Sequence, residues 1–263
     1  MEFVERYDGS GILIKVRRKL ADVESIQHIE VYETESFGKM LVIDGKIQLT
    51  EFDEALYHEM LAHVPLMLHE KPRDVLIIGG GDGGTLREVL KHDVRRVTLV
   101  EIDVAVLEVA KKFLGIDRGA FEDERVEIVI EDGKTFVSSC ERYDVIIVDS
   151  TDPVGVSDPL FGREFFELAR EKCDVICAQA QSPLVQRDLF LKIWNAASVF
   201  GRRAVYLATV PTYPLAYWAF VIAGDFGELR EERFERLRGK VRHYNPDVHR
   251  AAFALPEWLR EVL

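Results

Sequence analysis

Acidic residues recur at one kind of place in this chain, directly after short apolar runs. Val75-Leu76-Ile77-Ile78 leads into Gly79-Gly80-Gly81-Asp82-Gly83-Gly84, Val100 is followed by Glu101-Ile102-Asp103, a third run ends in Glu131-Asp132-Gly133, and a fourth closes on Asp149-Ser150-Thr151-Asp152. If these runs are strands of an open α/β sheet, their carboxyl ends share the edge where ligands of such sheets bind. Four acidic strand ends then make one negative pocket. The glycine loop alone does not choose a ligand, because such loops serve nicotinamide and flavin dinucleotides, S-adenosylmethionine and plain packing. Glu101, about 20 residues past it, suits ribose hydroxyls, although it could also serve the dipole of the following helix. Asp82 would face phosphate oxygens at close range in a pyrophosphate site, so it favours a cationic ligand instead. Asp149 and Asp152 could bind a metal, share a proton or hold an ammonium group. Metal fits worst, since no histidine lies near them in sequence. Asp152 could also be a turn cap before Pro153.

Positioning these residues requires strands that alternate with helices. Strands are expected near 74–79, 97–101, 126–130, 144–149, 174–179, 203–210 and 217–223, and helices near 53–68, 84–92, 103–114, 160–171, 186–200 and 228–238. Such alternation predicts a Rossmann-like, methyltransferase-type fold, a mostly parallel sheet with helices on both faces. Ahead of it, β-branched runs at 12–14, 26–32, 40–43 and 46–48, with Asp44-Gly45 as a hairpin turn, predict a small antiparallel β domain. The expected division is 1–52 for the β domain and 53–263 for the catalytic domain, rigidly joined near 51–53. The charged stretch 228–238 reads as a solvated helix face.

Composition narrows the function classes. The 263 residues carry 34 Lys and Arg against 46 Asp and Glu, a net charge of −12, which argues against a sequence-general nucleic-acid binder. No apolar run approaches the roughly 20 residues of a membrane helix, and Met1-Glu2-Phe3-Val4-Glu5 is no signal peptide, so a cytoplasmic protein with no membrane partner is expected. Cys140, Cys173 and Cys177 give no disulfide framework. The seven histidines show no metal-ligand spacing; only His58 borders the acidic site.

Several motifs, in order, resemble the polyamine aminopropyltransferases. They are Leu41-Val42-Ile43-Asp44-Gly45-Lys46-Ile47-Gln48-Leu49-Thr50-Glu51 with Asp53-Glu54, then Tyr57-His58-Glu59-Met60, Gly79 to Gly84 with Leu86-Arg87-Glu88, and Asp149 to Pro153. Pro211-Thr212-Tyr213-Pro214, Tyr244-Asn245-Pro246 and His249 to Pro256 complete the likeness, which runs almost end to end. The resemblance implies transfer of the aminopropyl group of decarboxylated S-adenosylmethionine to a diamine, with putrescine giving spermidine, and release of methylthioadenosine. It implies no metal and no cofactor beyond that co-substrate, and assembly as a homodimer or homotetramer. It places Asp132, with Gly133, at the adenine, Glu101 at the ribose, Gln27 and Gln48 near the sulfonium side chain, and Asp82 at the aminopropyl ammonium. Asp149, Tyr57 and Tyr213 would surround the attacking amine, with His58, Asp152 and Gln181 on the acceptor side and the 151–160 loop closing over it.

Departures from that family's pattern gather around the expected acceptor. Leu215-Ala216 stand where Ser-Gly is usual, Gln181 where a Glu is frequent, Ile26 where an aromatic is common, Val156 for a Pro, and Phe3 near the place of a Trp. They leave open whether cadaverine, agmatine or a triamine is preferred. The chemistry sets its own demand: an amine with a pKa of about 10.4 is a nucleophile in only about one molecule in a few thousand at neutral pH. A buried carboxylate, raised by its surroundings, answers that demand, and Asp149 is the candidate base. An S-adenosylmethionine methyltransferase and a non-catalytic polyamine-binding protein are the alternatives. Asp82 speaks against the first and the Tyr57, Asp149, Tyr213 set against the second.

Overall fold

The computed structural model describes residues 1–7, 9–152 and 155–263. Pro153 and Val154, which the 151–160 loop and the Asp152 turn cap involve, lie outside the described residues. The chain opens with an antiparallel sheet in sequence order: β1 (Glu2–Tyr7), β2 (Ser10–Glu24), β3 (His28–Thr34), β4 (Lys39–Ile43) and β5 (Lys46–Thr50). Asp44 and Gly45 join β4 to β5 with φ of 50° and 74°, the left-handed pair that a two-residue hairpin requires. β1 and most of the 15-residue β2 were not expected from sequence. The reason is physical: Glu5 is the one buried side chain of β1, and β2 buries only Ile14 and Val16, so β1 has no apolar alternation and that of β2 is confined to a few residues.

The second layer system begins with α1 (Glu54–Leu68) and runs through β6 (Asp74–Gly79), α2 (Gly84–Val89), β7 (Arg96–Glu101), α3 (Val104–Val109), β8 (Val126–Ile130), α4 (Gly133–Ser139), β9 (Tyr143–Asp149), α5 (Arg163–Lys172), β10 (Cys173–Gln179), α6 (Arg187–Ala196), β11 (Arg203–Thr209) and β12 (Tyr217–Gly224). The seven strands lie in the order β11-β12-β10-β9-β6-β7-β8, parallel from β10 to β8, with β12 antiparallel to both its neighbours. This is the expected methyltransferase-like sheet. The middle of a central strand such as β9, Val145 to Val148, is apolar on both faces because both are covered: Val145 and Ile147 pack toward α1, while Ile146 and Val148 meet Phe161, Phe165 and Phe166.

Helix boundaries differ more. The helix expected at 228–238 is a 3₁₀ segment, Glu231–Arg236, with no buried residue of its own; the core contact of this stretch comes from Leu229, Phe234 and the buried Leu237, too few for a continuous apolar stripe. The one expected at 103–114 is α3 followed by a π turn, Ala110–Leu114. Three short helices went unanticipated: α4, α7 (Pro246–Ala252) and α8 (Glu257–Arg260). Side-chain caps at Asp132 and Asn245 mark the first two. The two sheets meet where Ile29, Val31, Leu41 and Ile43 pack on Val106, Val109 and Leu114. Asp103 secures that contact by accepting hydrogen bonds from Ser25 Oγ (2.8 Å) and Gln27 N (3.0 Å). Among the described residues, no helix is long and apolar enough to cross a membrane, and all three cysteines are free.

Candidate active site

A cavity opens beyond the carboxyl ends of β6, β7 and β9 and is bounded on its other side by the β3–β5 region, including Gln27, Lys46 and Gln48. Its floor is the glycine loop. Gly79 adopts a φ of 80°, and a Cβ there would lie 2.2 Å from the Asp149 carbonyl; one on Gly84 would lie 2.3 Å from the His58 ring. The loop is therefore glycine-rich because it must touch Asp149 and His58, independently of any ligand.

Asp149 ends β9 with both oxygens engaged: Tyr57 donates to Oδ1 (2.7 Å) and Thr85 to Oδ2 (2.6 Å). Burial pushes its carboxyl above the ordinary value and the negative charge of Asp82 adds to that, against the pull of His58. Asp82 goes the other way. Burial opposes its ionisation, but His58, at 3.3 Å, and the Gly84 N–H, donating at 2.7 Å, hold it below the usual range. His58 is buried between Asp82 and Glu54, whose Oε2 lies 2.8 Å from Nδ1. Burial alone would discharge the ring, yet the two carboxylates raise its pKa to about 10. Glu54 in turn accepts from Arg87 Nη2 (2.8 Å), and Arg87 Nε donates to Glu88 (2.7 Å). A file of alternating charges, Asp82, His58, Glu54, Arg87 and Glu88, thus runs inward from the cavity.

One donor atom each from His58, Asp82 and Asp149 lies within 4.8 Å of the others, a spacing that a metal could use. The charge state argues against it. An imidazolium bonded to carboxylates at both nitrogens has no lone pair to offer. An organic cation, which needs acceptors and no lone pair from His58, suits the same place.

At the opposite end, Glu101 accepts from the N–H groups of Gly81 and Asp103, both at 3.1 Å, and burial raises its carboxyl to about 7. Asp132 uses Oδ1 to cap α4, accepting from Thr135 N and Oγ1 at 2.8 Å, beside Gly133, where a Cβ would strike Ile78. Gln27 is fixed by Asp103 through its backbone and donates to Asp44 (3.3 Å); Gln48 donates to the Lys46 carbonyl (3.1 Å).

Residues 54–232 match the spermine/spermidine synthase domain, and residues 1–51 match the spermidine synthase tetramerisation domain. The chain belongs to the spermine/spermidine synthase family. It is 66% identical over 261 residues to the polyamine aminopropyltransferase of Archaeoglobus fulgidus, covering 98% of this chain and 97% of that one. It is 41% identical to the polyamine aminopropyltransferase of Shouchella clausii, over 96% and 95% of the two chains. Among solved structures it is similar to a spermidine synthase in complex with the transition-state analogue AdoDATO, with a TM-score of 0.96 and 38% identity, covering 100% of this chain and 94% of that one. The spermidine synthase of Thermotoga maritima superposes with a TM-score of 0.94 and the same identity and coverage.

The residues expected on the acceptor side do not all reach the cavity. Tyr213 donates to the Gln48 carbonyl (2.5 Å) and lies 5.5 Å from Tyr57, ring to ring. Its turn is held by Asp53, which accepts from Thr212 N and Oγ1 at 2.8 and 2.7 Å. Asp152 lines the cavity and accepts from Gln186 (3.3 Å). Gln181 does not line it. It is fully buried with a φ of 68°, and its amide donates to Gln179, which itself faces the cavity. Leu215 and Ala216 are also off the wall; both adopt φ near 54°, the conformation that makes the usual Gly understandable, and Leu215 is half exposed. Phe3 packs on Tyr32, and Ile26 is exposed. Of the family departures, Val156 alone reaches the cavity. Thr85, Glu5 and Lys46 are not singled out as site residues by sequence, since each acts through a partner distant in the chain; Asp103 is visible as an acid after β7 and caps α3 locally, but its bonds to Ser25 and Gln27 are not.

Proposed function

We propose that this cavity transfers the aminopropyl group of decarboxylated S-adenosylmethionine to a diamine, putrescine in the first instance, and releases methylthioadenosine. The observation that carries the reading is the opposed pair of carboxylates: Asp82, kept ionised beside His58, and Asp149, raised and held by Tyr57 and Thr85. In this reading Asp82 takes the aminopropyl ammonium, and Gln27 and Gln48 flank the sulfonium. Glu101 receives the ribose hydroxyls, and Asp132, whose Oδ2 is not used in capping α4, receives the adenine with Gly133. Asp152 draws the far ammonium of the diamine into place. His58 lines the cavity beside Asp82 and sustains its charge, while Gln181, behind the lining, acts through Gln179 and Asp152.

The reaction needs one free amine lone pair. Asp149 accepts a proton from the attacking ammonium while Tyr57 and Tyr213 orient the nitrogen. The lone pair then forms the new C–N bond as the C–S bond breaks, and its electrons return to sulfur to give a neutral thioether. The sulfonium is already a leaving group, so no further cofactor is called for. Holding both reactants in line contributes about 7–11 kcal/mol. The division into a β domain, 1–52, and a catalytic domain, 53–263, with assembly into a homodimer or homotetramer through the former, is part of the same proposal.

Mass spectrometry after mixing the protein with decarboxylated or intact S-adenosylmethionine and a panel of amines tests it. Methylthioadenosine and a singly aminopropylated amine are expected from the decarboxylated form alone. Methylated amine from intact S-adenosylmethionine, or no product from either, would overturn the reading. The same panel compares putrescine with cadaverine, agmatine and a triamine.

A further inference from the structure

We infer that Lys46 limits the length of amine that the acceptor end selects, by standing where the next ammonium group of a longer polyamine would have to bind. The inference rests on the aminopropyl-transfer reading above. It starts from an anomaly of β1, whose one buried side chain is a carboxylate, Glu5. Glu5 lines the cavity together with Lys46 and Asp152. Its Oε2 accepts from Ile47 N at 2.9 Å, and its Oε1 lies 3.5 Å from Lys46 Nζ, which also donates to the Arg6 carbonyl at 3.1 Å. Asp152 lies within electrostatic reach of both: its charge disfavours that of Glu5, and the Lys46 ammonium favours that of Asp152.

Besides Asp149 the cavity lining thus carries Asp152 and, within its electrostatic reach, Glu5 with a cation already on it. A diamine whose far ammonium stops at Asp152 meets only the attraction. A triamine extended past Asp152 brings another ammonium toward Glu5, where Lys46 already neutralises the carboxylate and repels the newcomer. Leaving Glu5 buried without a cation is unfavourable, so a longer amine gains nothing unless it replaces Lys46. The lysine is in effect a tethered copy of the group it excludes.

The test is kcat/KM for putrescine and for a linear triamine one aminopropyl unit longer, in the full-length protein and four variants. Lys46→Met and Lys46→Gln expose Glu5 and should raise the triamine-to-putrescine ratio by about tenfold or more, the effect of one charge-assisted hydrogen bond. Lys46→Arg keeps the cation and should keep the native ratio. Adding Glu5→Gln to Lys46→Met removes the freed carboxylate and should return the ratio to near native. A ratio that stays within about threefold of native in both neutral variants, or a rise that survives the second substitution, would overturn the inference. A native protein that transfers no aminopropyl group to either amine would instead sink the underlying reading.

Discussion

Replacing Asp82 by asparagine removes a charge while keeping the shape, and the geometry dictates the consequence. Asp82 Oδ1 accepts from Gly84 and faces His58, so the introduced amide can retain the Gly84 bond, but it offers a donor or a neutral oxygen to an ammonium that needs an anion. A charge-assisted hydrogen bond contributes about 1.5–3 kcal/mol, so affinity for decarboxylated S-adenosylmethionine should fall about tenfold to a hundredfold. Intact S-adenosylmethionine carries a carboxylate at the same end and loses a like-charge neighbour, so its affinity should hold or rise. The ratio of the two, measured by titration calorimetry, should therefore shift by tenfold or more. His58 gives a second readout. Asp82 is foremost among the groups that raise its pKa to about 10, so the imidazole should titrate closer to neutrality in Asp82→Asn, as followed by NMR. An unchanged affinity ratio would refute the assignment of Asp82 to the ammonium, whatever His58 does.

Asp149→Asn should lower turnover by about 10²–10⁴-fold, the range for loss of a general base, with a much smaller effect on co-substrate affinity; near-native turnover would remove Asp149 from that role. Binding of methylthioadenosine, which is uncharged near neutrality, should tighten as pH rises from 6 to 8. Glu101 has its carboxyl raised to about 7 by burial, and ribose hydroxyls favour the ionised form. The slope should vanish in Glu101→Gln, and a slope of opposite sign would show that the protonated acid is the binding form. Treatment with EDTA followed by buffer exchange should leave turnover unchanged, since His58 has both nitrogens committed to carboxylates; a loss restored by a divalent metal would contradict that charge state.

What could be read from sequence was whatever had a local pattern. The seven strands of the large sheet are apolar runs bounded by acids and glycines, so their order along the chain and the acids at their ends were visible. The Asp44-Gly45 turn announced the hairpin it makes. β1 was invisible because its buried position is Glu5, and so the ion pair with Lys46, far along the chain, was invisible too. Thr85 reaches Asp149 across 64 residues and Asp103 reaches Gln27 across 76, contacts that belong to the fold and to no motif. The Leu215-Ala216 departure looked like an acceptor determinant because it adjoins Tyr213. The backbone shows a different reason for sensitivity there: two successive left-handed residues turn their side chains off the cavity wall.

The proposed reaction asks two neighbouring carboxylates for opposite behaviour, one a permanent anion and the other a proton acceptor, and the fold distinguishes them by what stands behind each. Like charges so close cannot both ionise freely, so the pair titrates as a unit, and the first proton must go to whichever acid lacks a fixed cation. Behind Asp82 stands His58, kept charged by Glu54, which is kept charged by Arg87. The side-chain hydrogen bonds to Asp149 among the described residues come from the neutral hydroxyls of Tyr57 and Thr85, which orient its oxygens without fixing its charge. The ionic file through α1 and α2 therefore decides which acid binds and which one accepts the proton. In the proposed reading, an aminopropyl ammonium bound at Asp82 would relieve the repulsion felt by Asp149. In that reading Asp149 is then held as the carboxylate, ready to accept a proton, but with less pull for it, so its burial and that of the amine must supply the remaining drive for deprotonation.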